Sequence, residues 1–199
     1  MLFWGISVKA KVLLKITMAI EVEVRTFITS EKYRELFHLF QSQGVLLNED
    51  YQETYYFNCP QDLRIQKNSF YAKICLKKGN IHDAIQEEIE IQVSLEDFNK
   101  LQSLFAALNY QIKVKWFRKR YTFTWQGIKV MLDDTKGYGQ ILELEKVVEN
   151  ETVSPEELET IRQSLEVKLT ELHVPLTPKE VFNQHFHYYL SHWRELVGE

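Results

Sequence analysis

Charged residues occur at every second position in three short segments of the chain. The segments read Glu21-Val-Glu23-Val-Arg25, Arg118-Lys-Arg120 and Glu143-Leu-Glu145. In a β-strand, residues i and i+2 point to the same side, so each segment places like charges next to each other. Such neighbours repel each other unless an opposite charge or an ion lies between them. The segments therefore predict strands whose acidic and basic faces meet across one cavity, where a triphosphate with a divalent metal would complete the charge balance.

For any one of these pairs, the simpler interpretation is the solvated outer face of an antiparallel sheet. The residues that alternate with the charges decide between the two interpretations when the segments are taken together. Val22, Val24, Leu142 and Leu144 are apolar and could pack against helices on the opposite side of the sheet. This combination favours a charged cavity enclosed by strands.

The remaining elements follow from hydrophobic periodicity and from turn and capping residues. We predict strands at Ile20–Phe27, Thr54–Phe57, Leu63–Gln66, Phe70–Lys77, Gln86–Val93, Ile112–Trp125, Ile128–Asp133 and Ile141–Val147. We predict that Ser30 caps a first helix and that a second begins at Ser94. A capping box that starts at Ser154 is predicted to open the third helix, and Thr177 the last one in the same way. The fold class is therefore α+β, with eight antiparallel strands that close into a β-barrel and helices packed outside. Closure would remove exposed strand edges.

Composition places the chain among globular proteins and limits its partners. The chain has 199 residues, 45% of them hydrophobic and 26% charged, which suits one domain with a sizeable core. The net charge of −4 provides no basic field for nucleic acid. The two cysteines are isolated from each other and from any metal-ligand pattern, so we expect a reducing cytoplasm and no disulfide.

The first 17 residues differ from the rest of the chain. Met1–Thr17 is apolar but is interrupted by Lys9, Lys11 and Lys15, so it resembles neither a secretion signal nor a membrane span. We expect a leader at 1–17 that adds little to the fold, a natural start at Met18, and a single domain at 18–199. An additional strand or arm is the alternative for this segment.

The ordered series of motifs resembles the CYTH domain family, the triphosphate tunnel metalloenzymes. Near the start of the chain, Glu21–Arg25 resembles the family's ExExK motif. The middle of the chain is similar to three further motifs: the LRIR strand at Leu63–Gln66, the LTxK strand at Ile74–Lys77 and the REEIE stretch at Gln86–Glu90. Toward the end, Arg118–Tyr121 resembles the family's basic strand, and Leu132–Glu145 its LDxxxGLGxFxEIE motif. An aromatic strand that ends before a proline, Tyr55–Pro60, also fits. Each motif alone is weak, but the series covers nearly everything from Ile20 to the last helix.

The resemblance implies roles for individual residues. Ligands of Mg²⁺ or Mn²⁺ would be Glu21, Glu23, Glu143 and Glu145, and the catalytic set would be Glu21, Glu23, Arg25 and Asp133. Substrate binding would fall to Arg25, Arg64, Lys73, Lys77, Arg118 and Arg120, with Glu88 and Glu90 as cavity carboxylates. Three residues depart from the family pattern, because Arg25 replaces a lysine and Gln66 and Gln86 stand where arginine is common.

The resemblance implies a metal-dependent hydrolase of triphosphate compounds: inorganic tripolyphosphate, thiamine triphosphate or a nucleoside triphosphate. A class IV adenylate cyclase that converts ATP to cyclic AMP is the first alternative. A non-catalytic module that binds triphosphate or polyphosphate is the second, since the two glutamines would weaken the hold on a polyanion. We expect a small-molecule triphosphate as the partner, with no nucleic acid or membrane, and a monomer or homodimer in the cytoplasm.

Overall fold

Eight antiparallel strands form a closed barrel in the order β1-β5-β4-β3-β2-β6-β7-β8. The computed structural model describes residues 16–78, 84–148 and 153–199, with the backbone alone for residues 16–19. The strands are β1 (Ile16–Ile28), β2 (Val45–Phe57), β3 (Asp62–Lys67), β4 (Ala72–Lys78), β5 (Ile85–Val93), β6 (Ile112–Trp125), β7 (Ile128–Thr135) and β8 (Gly139–Val148). The helices are α1 (Ser30–Gln43), α2 (Phe98–Ala107), α3 (Pro155–Glu171) and α4 (Lys179–Val197). The predicted α+β barrel is therefore confirmed.

The strands bury apolar residues on the outside of the barrel and charged residues on the inside. In β1, Val22 and Val24 are almost fully buried in the main apolar core, whereas Glu23 between them is buried in the barrel interior. In β8, Leu142 and Leu144 join the same core. This arrangement follows directly from the period of two along a strand.

Helices α1 and α3 cover the apolar outer face. Leu36 and Phe40 of α1, with Leu165 and Leu169 of α3, are at most 1% exposed and belong to the core that contains Val22 and its neighbours. Full burial of one such side chain contributes about 1.5–3 kcal/mol. The barrel therefore keeps its shape through packing on its outside, which leaves the interior available for polar groups.

Helix α4 covers one end of the barrel. Its residues Phe186, Tyr189 and Trp193 pack on Val114 and Trp116 of β6. Val114 and Trp116 lie on the inward side of β6, four and two residues before Arg118. An aromatic layer therefore closes this end of the interior, while α2 packs separately on the outer faces of β2, β3 and β4.

Strand β2 is much longer than predicted. The sequence indicated only Thr54–Phe57, but the strand begins at Val45 and pairs along its length with β6, with a bulge near Leu46. Asn48, Asp50 and Gln52 alternate inward on this additional part. A segment so rich in polar residues is typical of a loop, and only a polar barrel interior makes it a strand.

The start of one helix and the caps of two others differ from the prediction. Helix α2 begins at Phe98, because a 3₁₀ turn at Leu95–Asp97 follows Ser94. Thr29, rather than Ser30, caps α1, because its Oγ1 accepts a hydrogen bond from the backbone N–H of Lys32 at 3.2 Å. Thr177 does not cap α4; its Oγ1 instead accepts from the backbone N–H of Phe27 at 3.0 Å. The predicted capping box at Ser154 is confirmed.

The N-terminal prediction is only partly covered by the described residues. Strand β1 begins at Ile16, two residues before Met18, and Ile16 pairs with Ile91 of β5. Residues 1–15 lie outside the described part, so the leader and the start at Met18 stay predictions. Within the described part, Cys59 and Cys75 are free, and no helix is both long and apolar enough to cross a membrane.

The turn between β7 and β8 should be sensitive to a side chain at Gly137. Gly137 has φ +72°, and an added Cβ would lie 2.6 Å from Cβ of Leu196 in α4. We expect Gly137→Ala to cost about 2–4 kcal/mol, from the left-handed backbone and from overpacking against the helix. Chemical denaturation gives this loss directly.

Gly127→Ala is the matched control for this substitution. Gly127 has a similar φ of +77°, but no heavy atom lies within 4 Å of its added Cβ. Its loss should be limited to the backbone cost of about 1–2 kcal/mol. Equal losses for the two variants would show that α4 does not rest on the turn.

Candidate functional site

The barrel encloses a cavity of about 300 Å³, at the lower end of small-molecule sites. Nine of the residues that the sequence predicted to point inward line it: Glu21, Glu23, Arg25, Arg64, Lys77, Arg118, Arg120, Glu143 and Glu145. Lys73, Glu88 and Asp133 line it as well. Glu90 differs, because it is not among the lining residues and forms an ion pair with Lys73.

Three carboxylates converge on one side of the cavity. Carboxylate oxygens of Glu21, Glu23 and Glu145 lie within 4.8 Å of one another. Burial raises the pKa of Glu21 to about 7 even though Lys77 opposes it, and burial also raises the pKa of Glu23 against the effect of Arg25. These acids are therefore only partly neutralised by the protein's own cations.

The fourth predicted metal ligand, Glu143, contacts Glu23 of the cluster but has more cations around it. Its Oε2 accepts a hydrogen bond from Arg120 at 2.9 Å. Burial disfavours its ionised form, but Arg120 and Arg25 more than offset this and hold the pKa of Glu143 well below its usual range. Glu143 is thus compensated mainly by guanidinium groups, whereas Glu21 and Glu23 are compensated only in part.

Two adjacent arginines of β6 share a single carboxylate of β7. Arg120 binds Asp133 with two hydrogen bonds of 2.6 Å, and Arg118 binds the same carboxylate at 3.0 Å. Arg118 also donates to Gln52 at 2.7 Å. Burial and the neighbouring Arg120 lower the pKa of Arg118. Arg118 is therefore a buried cation with less than one negative charge to itself, which favours an incoming anion.

The other cations of the cavity have acidic partners. Arg64 pairs with Asp62 at 2.8 Å and also donates to the hydroxyl of Tyr56 at 3.0 Å. Lys77 donates to Glu21 at 2.6 Å and lies 3.2 Å from Glu88. Burial opposes ionisation of Glu88, yet the nearby lysines keep its pKa well below the usual range.

Among the described residues, eight acidic and eight basic side chains line the cavity. The interior is therefore close to neutral by itself, so an anion that entered would bring an excess of negative charge.

Sequence reasoning missed several residues that line the cavity. Asp62 and Lys129 are charged lining residues, and Lys129 binds Glu145 at 2.8 Å. Both stand two residues from another inward position, Asp62 before Arg64 and Lys129 before Met131 and Asp133. The period of two could have identified them. The aromatic residues Phe182 and Phe186 also line the cavity, but they come from α4 and gave no sequence signal of this kind.

A family comparison agrees with this geometry. The model of the CYTH domain matches residues 19–180. The chain belongs to the CYTH domain family. The matched range contains all eight strands except the first residues of β1, and it contains every predicted site residue.

Similar proteins of known sequence or structure extend the comparison. A protein of Methanocaldococcus jannaschii named "Putative adenylate cyclase" is 27% identical over 155 residues, which cover 73% of this chain and 87% of that protein. The structure of a Pyrococcus horikoshii protein has a TM-score of 0.67 at 23% identity, over 78% of this chain and 92% of its own. A Hippeastrum protein that carries a cyclase name and is described as having a dominant triphosphatase activity has a TM-score of 0.56 at 16% identity, over 82% and 93%. At such identities the structural likeness concerns the fold.

The raised pKa of Glu21 predicts how stability of the metal-free protein depends on pH. A folded-state pKa of about 7 exceeds the reference value of 4.5, so the folded protein holds a proton that the unfolded chain releases between these values. The contribution is present below about pH 4.5 and is lost as the pH rises to about 7. With EDTA present, we expect Glu21→Gln to gain stability relative to wild type between pH 5 and pH 8, by about 2 kcal/mol. Urea denaturation at the two pH values measures this.

Glu87→Gln is the control for charge removal on a neighbouring strand. Glu87 is exposed and pairs with Lys78 on the outside of the barrel. Its substitution should change stability equally at both pH values. A parallel response of the Glu21 and Glu87 variants would contradict the environment described for Glu21.

Proposed function

We propose that the protein is a divalent-metal-dependent hydrolase of triphosphate compounds, which it binds inside the barrel. The observation that carries the proposal is the juxtaposition of three clustered carboxylates with a set of buried cations in one enclosed cavity. Guanidinium groups bind phosphate oxygens through paired hydrogen bonds, and an enclosed site strengthens such contacts. A chain of phosphates matches both features, because its oxygens bind several cationic side chains and it usually binds together with a divalent metal ion.

The residues of the cavity divide the work by their positions. Arg118 and Arg120 are held side by side by Asp133, which presents their remaining N–H groups to the cavity. Arg25, Arg64 and Lys77 stand on other strands and would contact the phosphates from the opposite side. Since phosphoryl transfer depends mainly on positioning and charge neutralisation, this arrangement fits the reaction.

The residues also suit Mg²⁺ or Mn²⁺. Glu21, Glu23 and Glu145 offer the hard carboxylate oxygens that these ions prefer. The raised pKa values of Glu21 and Glu23 indicate that the protein's own cations compensate these two only in part, which supports a place for added positive charge. When bound, such an ion neutralises phosphate charge and lowers the pKa of a coordinated water. Lys77 and Lys129, which bind Glu21 and Glu145, would move toward the phosphates when the carboxylates take up the ion.

A class IV adenylate cyclase remains the second candidate, because the relative from Methanocaldococcus jannaschii carries a cyclase name. The Hippeastrum protein combines a cyclase name with a dominant triphosphatase activity, so such a name does not decide the reaction. Both reactions would use the same grip on the triphosphate. A cytoplasmic location and a monomer or homodimer stay predictions.

The reaction is best tested with a panel of substrates. Purified protein is incubated with tripolyphosphate, thiamine triphosphate and ATP, each with Mg²⁺, with Mn²⁺ and with EDTA, and released phosphate and cyclic AMP are measured. We expect phosphate release that needs a divalent ion. Cyclic AMP from ATP as the main product would favour the cyclase, and tight binding without any product would favour a non-catalytic module.

Variants of the two glutamates of β8 should separate their roles. Glu145→Gln removes a charge from the carboxylate cluster, so we expect it to raise the Mg²⁺ concentration for half-maximal activity by roughly tenfold or more. Glu143→Gln removes a negative partner of Arg120, which leaves that guanidinium freer for phosphate oxygens, and should instead lower KM for the triphosphate. Titrations of metal at saturating substrate, and of substrate at saturating metal, measure the two effects.

One further variant, Arg120→Ala, tests phosphate binding, and a glutamate variant outside the cavity serves as the control. Loss of the Arg120 guanidinium should raise KM for the triphosphate by roughly tenfold or more, because a hydrogen bond to a charged group is worth about 1.5–3 kcal/mol. Glu159→Gln, at a partly exposed position of α3 that does not line the cavity, should leave both titrations unchanged. Wild-type metal dependence in Glu145→Gln would exclude Glu145 as a metal ligand.

A further inference from the structure

Unpartnered polar atoms gather at the end of the cavity that α4 closes. Among the described residues, five buried side-chain atoms have no hydrogen-bond partner. Four of them belong to residues that line the cavity: Asp62 Oδ1, Arg64 Nε, Thr135 Oγ1 and Tyr138 Oη. A buried polar group without a partner costs about 1–3 kcal/mol, so such a concentration calls for an explanation.

Direct contacts place these residues in one neighbourhood, which we call the aromatic end. The backbone N–H of Tyr138 donates a hydrogen bond to the carbonyl of Thr135 at 3.0 Å. The ring centroid of Trp116 lies 4.4 Å from that of Tyr138 and 6.2 Å from that of Tyr56. The hydroxyl of Tyr56 accepts a hydrogen bond from Arg64. The aromatic end is therefore defined by Tyr56, Arg64, Trp116, Thr135 and Tyr138.

Cations flank these atoms. The guanidinium of Arg64 lies 4.8 Å from the ring centroid of Tyr56, and that of Arg25 lies 5.7 Å from the ring centroid of Phe182 in α4. Thr135 stands opposite Arg118 in the pairing of β6 with β7. Burial raises the pKa of Tyr138, and Arg25 acts in the opposite direction, so Tyr138 keeps its proton and lies within electrostatic reach of Arg25.

The chemistry of the unpartnered atoms indicates what kind of group fits. The N–H of Arg64 can only donate, and the hydroxyls of Thr135 and Tyr138 can donate, whereas the carboxylate oxygen of Asp62 accepts. Three potential donors and three neighbouring arginines against one acceptor match a group rich in acceptor oxygens that carries negative charge. A tetrahedral phosphoryl group has both properties, and an apolar or cationic group has neither.

We propose that the aromatic end is a phosphoryl-binding subsite in which Thr135, Tyr138 and Arg64 donate hydrogen bonds to an end phosphate of the bound triphosphate. This inference rests on the proposed function, and it adds Thr135 and Tyr138 to the residues that would bind the triphosphate. It also explains how the cavity retains a polyanion although Gln66 and Gln86 are neutral. The hydroxyls supply donors without adding buried charge to an interior that is already balanced.

Tyr138→Phe and Thr135→Val test the subsite, because each removes one hydroxyl with almost no change of shape. The probe is inorganic imidotriphosphate, which resists hydrolysis, titrated in the presence of Mg²⁺ by calorimetry. Each variant should bind it about tenfold or more weakly than wild type. In the absence of ligand, their melting temperatures should equal or exceed that of wild type, since the lost hydroxyl has no partner.

Tyr189→Phe is the matched control. Tyr189 is fully buried, and its ring centroid lies 5.5 Å from that of Tyr138. Its hydroxyl already donates a hydrogen bond to the carbonyl of Lys115 at 3.1 Å, and the residue does not line the cavity. This variant should lose thermal stability and keep the affinity of wild type. A merely structural role of Tyr138 would give the same pattern in both tyrosine variants and would overturn the proposal.

The remaining outcomes separate this inference from the function on which it rests. Unchanged affinity in both hydroxyl variants, with normal binding by wild type, would mean that water alone satisfies these atoms and would overturn the subsite only. Weaker binding of the imido analogue of ATP, with unchanged binding of imidotriphosphate, would assign the aromatic end to an organic group and would also overturn it. Failure of wild type to bind either compound would overturn the proposed function together with the subsite.

Discussion

The mutual neutralisation of charges inside the barrel is the constraint on which the rest of the structure depends. Sixteen described charged side chains line the cavity, and transfer of one unpaired charge from water costs several kcal/mol. Close ion pairs offset this cost: Asp133 forms ion pairs with Arg118 and Arg120, and Asp62 forms one with Arg64. Loss of one partner would leave the other buried and uncompensated, so the cavity responds to substitution as a network.

This constraint also determines where the hydrophobic core lies. Since the interior is occupied by charges, apolar residues of the strands must face outward, where α1 and α3 cover them. A slip of β1 by one residue would exchange Val24 with Arg25 and bring a guanidinium into the helix-covered core. The same alternation therefore fixes strand register and the placement of the site, and a variant that disturbs one disturbs the other.

The pKa shifts divide the cavity into two kinds of acid. Glu143 and Glu88 are dominated by cations and stay ionised, whereas Glu21 and Glu23 are dominated by burial and hold protons more tightly. The second kind is compensated less fully than the first, and this difference is the feature on which the proposed metal site depends. The unpartnered donors at the aromatic end show the complementary property, because they are prepared for an anion.

The sequence by itself determined which side of each recognised strand faces the cavity, because the period of two along a strand is a local property. Glu21, Arg118 and Glu145 lie where that period places them, and the strand candidates at β6 and β8 agree with the structure.

Strand β2 could not be recognised over most of its length, since its polar residues become favourable in a strand only after closure of the barrel supplies partners such as Arg118 for Gln52. Tertiary structure alone decided that Glu145 joins Glu21 and Glu23 while Glu143 turns to Arg120, and that α4 brings an aromatic layer over one end. The physical reason is that alternation specifies the side of the sheet, whereas the partner of a charged side chain depends on the stagger between strands and on helices distant in sequence.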